Sequence, residues 1–328
     1  MSGAAARGPR VLQFGFTSTD AARAVDFYGQ SLGFEARETL QIDGGAYGQL
    51  LGLPQGRFRL TRLQLGQETL EILEVPKANG SGAQLPGREI PADSRSCDLW
   101  FQHLCLVTSN LDGALERLQP ALESGLARAV SRGPQTLPAW NKAAAGIRAF
   151  KFRDPDGHNL ELLEFPTDKG DARWHGGSGL LGIDHSAISI SNTALSCRFY
   201  DDLLGLRLGG DGLNSGPTQD DLDNLEQTQV RITGHRCPRG PGIECLEYQP
   251  PNWGRPMPAD LNPADLAHWQ IRLQVDDLDP IATQLEACGG RLLSPGVVHL
   301  GDQGDALGFS RALQVADPDG HRLQLVQA

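Results

Sequence analysis

The sequence predicts an α+β chain made of four copies of one strand–helix–three-strand unit, βαβββ. Three internal similarities carry that expectation, and such repeats decide the architecture of a chain. VLQFGFTSTDAARAVDFYGQSLGFEAR, from Val11, aligns with GIDHSAISISNTALSCRFYDDLLGLRL, from Gly182 or Ile183; at a constant offset of 172, Phe27-Tyr28 fall on Phe199-Tyr200 and Gly33 on Gly205. FRDPDGHNLELLEF, from Phe152, returns as VADPDGHRLQLVQ, from Val315. FQHLCLVTSNLDGALERL, from Phe101, resembles HWQIRLQVDDLDPIATQL, from His268. The order is therefore ABA′B′, with modules over residues 11–76, 98–166, 182–250 and 266–328.

Each element of the unit has its own signal. An alternating strand opens it, such as Leu12 to Thr17 or Ala187 to Ser191, since side chains alternate faces along a strand. Thr19 and Asn192 follow as N-cap candidates, because a short polar side chain can accept from the orphan amides of a helix start. Helical apolar spacing then runs to a glycine stop at Gly33 or Gly205. Three strands complete the unit, and in the even modules Asp-Pro-Asp-Gly joins the last two as a tight turn. The stretch 167–181 reads as a linker between two domains, 11–166 and 182–328. Residues 77–95 connect the first two modules, and residues 1–10 form a disordered lead-in. A lone unit exposes one face of its small sheet. Two side by side make a curved, partly closed barrel with helices outside and a cavity within.

Composition bounds the partners. A net charge of −11 over 328 residues argues against nucleic acid and anionic membrane surfaces, which attract basic patches. No apolar run approaches the roughly 18 residues of a membrane span, and MSGAAARGPR lacks the apolar centre of a signal peptide. The six cysteines form no CxxC pair and read as reduced structural thiols of a cytoplasmic protein. A small molecule is the expected partner, and a homodimer is compatible with the sequence.

The opening-strand polar residue, the FY…LG helix and the DPDGHxLEL hairpin together resemble the vicinal oxygen chelate superfamily of glyoxalases, extradiol dioxygenases and bleomycin-resistance proteins. The resemblance covers nearly the whole chain, twice over. It implies one divalent metal (Zn²⁺, Ni²⁺, Mn²⁺ or Fe²⁺) inside a barrel, with ligands from the first and last strands of paired modules. If modules one and two pair, as sequence neighbours commonly do, the implied set is Gln13, Glu71, His103 and Glu161, with Glu71 and Glu161 as the carboxylates able to move a proton. If modules two and three pair, as in some fused glyoxalases, the set is His103, Glu161, His185 and Glu244. Burial of such carboxylates on a strand face calls for a metal, a cation or donors.

The last module departs from the pattern. Gln270 stands at the place of His103 and Gln324 at that of Glu161, so modules three and four as a pair are poor metal binders, and Arg272 and Gln274 share the face of Gln270. His158 and His321 follow their turns as hairpin residues. His268 lies near the barrel rim, His175, His235 and His299 read as exposed, Trp140 as a cavity cover or core cap, and Tyr248 as reaching into the second cavity. Three function classes follow from the resemblance: a glyoxalase-like lyase or isomerase, a ring-cleaving extradiol-type dioxygenase on Fe²⁺, and a metal-free small-molecule binder.

Overall fold

A computed structural model of the chain describes residues 8–75 and 87–327. Residues 1–7 of the expected lead-in and 77–86 of the connector lie outside the described residues, and Arg10 already belongs to the first strand. Module one comprises β1 (Arg10–Thr17), α1 (Ala21–Leu32), β2 (Glu35–Asp43), α2 (Gly45–Leu51), β3 (Arg57–Leu65) and β4 (Glu68–Glu74). Module two comprises β5 (Gln102–Thr108), α3 (Leu111–Glu123), the short β6 (Arg128–Ala129) and β7 (Gln135–Thr136), then β8 (Arg148–Arg153) and β9 (Asn159–Glu164). Module three has β10 (Leu180–Ser189), α4 (Thr193–Cys197) running into a π-helical turn (Arg198–Leu203), β11 (Arg207–Ser215), α5 (Pro217–Asp223), β12 (Gln229–Arg236) and β13 (Gly242–Tyr248). Module four has β14 (Trp269–Gln274), α6 (Leu278–Gln284), β15 (Arg291–Leu292), β16 (Val298–His299), α7 (Gly304–Leu307), β17 (Arg311–Ala316) and β18 (Arg322–Gln327).

The helices begin and end for local reasons. Asp20, not Thr19, caps α1 by accepting from the Arg23 amide, while the Thr19 hydroxyl is drawn to Asp156. Asn192 caps α4 as expected. Gly33 and Gly205 both take φ of 76°, the left-handed stop that a side chain resists.

Two open sheets result, and their pairing differs from the sequential halves 11–166 and 182–328. The first runs β2-β3-β4-β1-β14-β18-β17-β15, joining module one to module four; the second runs β11-β12-β13-β10-β5-β9-β8-β6, joining module two to module three. At each centre two opening strands meet antiparallel, with Phe14 opposite Ile271 and Ser186 opposite Leu104. The physical reason lies in the expected linker. Its last residues already belong to β10, where Leu180 pairs with Thr108, and Trp174 within it is buried against Asp184. The glycine-rich stretch thus carries the chain from β9 past β5 to β10, the other central strand of the same sheet.

One apolar core spans all four modules, including Phe16, Phe27, Leu106, Leu118, Ile188, Phe199, Leu273 and Leu323. The Asp-Pro-Asp-Gly turns brace the sheets reciprocally. Tyr28 donates to Asp154 at 3.2 Å and Tyr200 to Asp317 at 2.9 Å. The His158 ring reaches the Leu266 carbonyl at 2.9 Å, and the His321 ring reaches that of Ser189 at 2.8 Å. Both histidines therefore serve their hairpins. Among the described residues no helix is long and apolar enough to cross a membrane.

Candidate metal centre

The second sheet brings four residues of the implied ligand sets onto one face. His103 on β5 and His185 on β10 come from the two central strands, with ring centroids 6.0 Å apart. Glu161 follows on β9, whose register sets it beside Cys105, and Glu244 on β13, set beside Ala187. His103 Nε2 stands 3.3 Å from Glu161 Oε2, and His185 Nε2 stands 3.4 Å from Glu244 Oε2. Donor atoms of His103, Glu161 and His185 all lie within 4.8 Å of one another. Both ring nitrogens of His103, and Nε2 of His185, are buried without a hydrogen-bond partner. Buried polar atoms are normally satisfied, so one unpartnered nitrogen from each of the two rings, beside a carboxylate, fits a divalent ion accepting N and O ligands.

The electrostatics suit the same purpose. Burial would raise the Glu161 carboxyl, but His103, Lys151 and His185 outweigh it and hold it at about 2. Burial pushes the His103 ring down, only partly offset by Glu161. Burial also opposes charge on His185, yet Cys105, Glu244 and Asp184 hold its ring above the ordinary value. His185 Nδ1 lies 2.8 Å from Asp184 Oδ2, which also meets Arg236 at 3.2 Å. A carboxylate on the far ring nitrogen fixes the tautomer and aims Nε2 inward.

These residues open into a cavity of about 260 Å³. Its walls include Leu137, Ile147, Phe165, Leu222 and Leu246, with Asn141, Lys151, Gln219 and Tyr248 as polar points. Lys151 Nζ pairs with Asp223 at 2.6 Å, and Tyr248 donates to the same carboxylate at 2.9 Å. Tyr248 thus lines a cavity shared by modules two and three, in place of the one expected between modules three and four. Trp140 is 59% exposed beside Asn141 and caps no core. Asp184 and Lys151 were not singled out in the sequence. Strand alternation places Asp184 off the ligand face, although it adjoins His185 in the chain.

The set Gln13, Glu71, His103 and Glu161 is not brought together: Gln13 and Glu71 lie in the first sheet, His103 and Glu161 in the second. In the first sheet the four equivalent places hold Gln13, Glu71, Gln270 and Gln324. Arg272 enters among them, donating from Nη2 to Glu71 at 3.0 Å and from Nε to Gln324 at 2.6 Å. Arg62 Nε approaches Glu71 at 3.1 Å. Burial would raise the Glu71 carboxyl, but Arg272 and Arg62 keep it below its usual range. Glu71 is thus committed to two guanidinium groups, not to a metal or a proton-transfer role. An apolar cluster of Tyr47, Leu60, Leu73, Leu300, Phe309 and Val326 fills the space beside it.

The remaining histidines divide. His175 and His299 are exposed, as expected. His268 is buried at Thr17, 3.1 Å from its hydroxyl, and does not line the second-sheet cavity. His235, expected to be exposed, is fully buried: β12 extends through it, under the π-helical turn of module three. All six cysteines are free thiols.

The family model described as Glyoxalase/Bleomycin resistance protein/Dioxygenase superfamily matches residues 10–162 and again 182–325. Among solved structures, glyoxalase I from Zea mays is similar at 13% identity, with 98% of this chain and 92% of that one covered and a TM-score of 0.59. A candidate dioxygenase from Bacillus subtilis subsp. subtilis str. 168 is similar at 12% identity, over 98% of this chain and 86% of that one, with a TM-score of 0.54. No curated protein matches the sequence. With the βαβββ repeat, the two-sheet fold and a match across nearly the whole length, the chain belongs to the Glyoxalase/Bleomycin resistance protein/Dioxygenase superfamily.

Proposed function

We propose that the chain is a metal-dependent enzyme with one working centre, in the second sheet, performing glyoxalase-like proton transfer on a small oxygenated substrate. The observation that carries this reading is the convergence of His103, Glu161 and His185, with imidazole nitrogens left unpartnered. Together with Glu244 they would hold one divalent ion, Zn²⁺, Ni²⁺, Mn²⁺ or Fe²⁺. A bound ion of this kind supplies Lewis-acid polarisation of vicinal oxygens.

The two carboxylates differ in a way that divides the work. The Glu161 side chain is 8% exposed and faces His103, whereas that of Glu244 is 26% exposed and stands outside the tight trio. Glu244 therefore suits the moving of a proton at the substrate, and Glu161 the holding of the ion, in place of the proton-moving role expected of Glu161 from the sequence. General bases of this type act when held within hydrogen-bond reach of the proton.

The cavity selects by size and polarity. At about 260 Å³ with mainly aliphatic walls, it suits a compact molecule rather than a large conjugate. Its lining cations, Lys151 and Arg236, are already paired with Asp223 and Asp184, which disfavours an extended polyanionic substrate such as a glutathione conjugate.

A second reading has one specific observation in its favour. The tight trio is two histidines and one carboxylate, the set used by Fe²⁺ oxygenases. Elemental analysis of purified protein, then activity of the metal-free protein with each ion restored, tests both. Turnover of compact 2-oxoaldehyde or enediol substrates without O₂ uptake supports the proton-transfer reading. O₂ uptake with catechols on Fe²⁺ alone replaces it with the second, and absence of metal at saturating ion overturns both.

A further inference from the structure

We infer that module three carries a second, separate metal site, formed by Cys197, Asp201 and His235 on the outer, helix-covered face of its sheet and suited to a borderline divalent ion such as Zn²⁺. Their ligand-capable atoms lie within 4.8 Å of one another. His235 Nδ1 is 2.8 Å from Asp201 Oδ1, and its Nε2 is 3.4 Å from the buried Thr233 hydroxyl. Cys197 closes α4 and Asp201 lies one turn on, in the π-helical turn. Such turns recur at functional sites because they re-aim side chains.

The repeat shows that the fold does not require this trio. Counting from the helix caps Asp20, Asn110, Asn192 and Asp277, the position of Cys197 is held by Val25, Leu115 and Ala282 in the sister modules. By strand register, His235 opposite Ile243 corresponds to Leu63 opposite Leu70, Phe152 opposite Leu160 and Val315 opposite Leu323. Three modules thus pack helix on sheet through an apolar pair where the fourth places a thiol and a fully buried imidazole. Burying such polar groups at a packing interface costs stability unless they are engaged.

The donors balance the ion. A cysteine thiolate and the Asp201 carboxylate neutralise a divalent charge, and a neutral imidazole completes three protein ligands, with a fourth place left to water. On binding, the Cys197 thiol proton is released to solvent. The imidazole proton moves from Nδ1 to Nε2, where the Thr233 hydroxyl accepts it, as an outer-shell partner does. Arg231, a nearby cation, is committed to Asp211 through two bonds of 2.9 and 2.7 Å and does not compete. Cys197 and Asp201 are only partly buried, so an ion can enter from solvent.

Co²⁺ titration tests this site independently of the proposed centre, since thiolate coordination gives a charge-transfer band that histidine and carboxylate ligands do not. The full-length protein is expected to show that band and to take up a second equivalent of metal. Cys197→Val and His235→Leu restore the module-one residues and are expected to fold, to lose the band and to keep the first equivalent. Zn²⁺ is likewise expected to protect Cys197 from alkylation in the wild-type chain. Absence of the band at saturating Co²⁺, or its persistence in Cys197→Val, overturns the inference and leaves the His235–Asp201 contact as a structural hydrogen bond only.

Discussion

Arg272 donates to Glu71 at 3.0 Å across the centre of the first sheet, and in register Arg272 stands opposite Gln13 as Cys105 stands opposite His185. One sheet thus places a guanidinium where the other leaves room among its histidines. The positive charge that a metal would bring is built into the chain, and the carboxylate that would bind metal is already satisfied.

Metal content therefore separates the two sheets. Glu71→Ala is expected to retain full metal occupancy, whereas His185→Ala is expected to lose the equivalent held by His103, Glu161 and His185. Parallel elemental analysis of the two variants checks this, and loss in the Glu71 variant alone would return the centre to the first sheet.

Glu71 also sets an acid limit on stability. Its folded pKa is depressed, so its contribution is fully present above the ordinary glutamate value of about 4.3 and is lost as pH falls through the folded value. Glu71→Gln strands Arg272 and is expected to cost about 3–5 kcal/mol at neutral pH. Urea melts over the acid range should show a flatter dependence for the variant than for the parent chain.

Asp184 orients His185 without belonging to the ligand set. Asp184→Asn is expected to weaken metal affinity about 10- to 100-fold while leaving the fold intact. Competition with a chelator measures it, and unchanged affinity would remove the orienting role.

Lys151 and Asp223 form a buried pair at 2.6 Å on the cavity wall. Lys151→Met leaves Asp223 uncompensated and is expected to destabilise by about 3–5 kcal/mol. Adding Asp223→Leu is expected to recover most of that loss. A double-mutant cycle from denaturation midpoints reads the coupling, and purely additive losses would deny it.

The repeat, the turn glycines and all four residues of the second-sheet centre were legible because matched modules hold them at matched places. Module pairing was not. It depends on which opening-strand edges meet, and nothing in the local pattern of β1 or β10 encodes that. Arg272 was visible as a cavity-facing residue, but its partner Glu71 belongs to the module farthest from it in the chain. His235 was misjudged because the proline- and glycine-rich sequence after it reads as a loop, while β12 in fact runs through to Arg236.

The reciprocal bracing by the two Asp-Pro-Asp-Gly turns has a consequence for how this chain can be divided. Each sequential half holds one module of each sheet, so a break in the glycine-rich stretch after Pro166 separates His103 and Glu161 from His185 and Glu244. Neither fragment then owns the whole second-sheet centre, and each is left with one open edge on an opening strand, β5 or β10, that the other fragment completes. Recovery of the equivalent held by His103, Glu161 and His185, counted apart from the Cys197–Asp201–His235 site that the second fragment keeps whole, would report reassociation of the severed pieces, which makes that centre a natural split reporter.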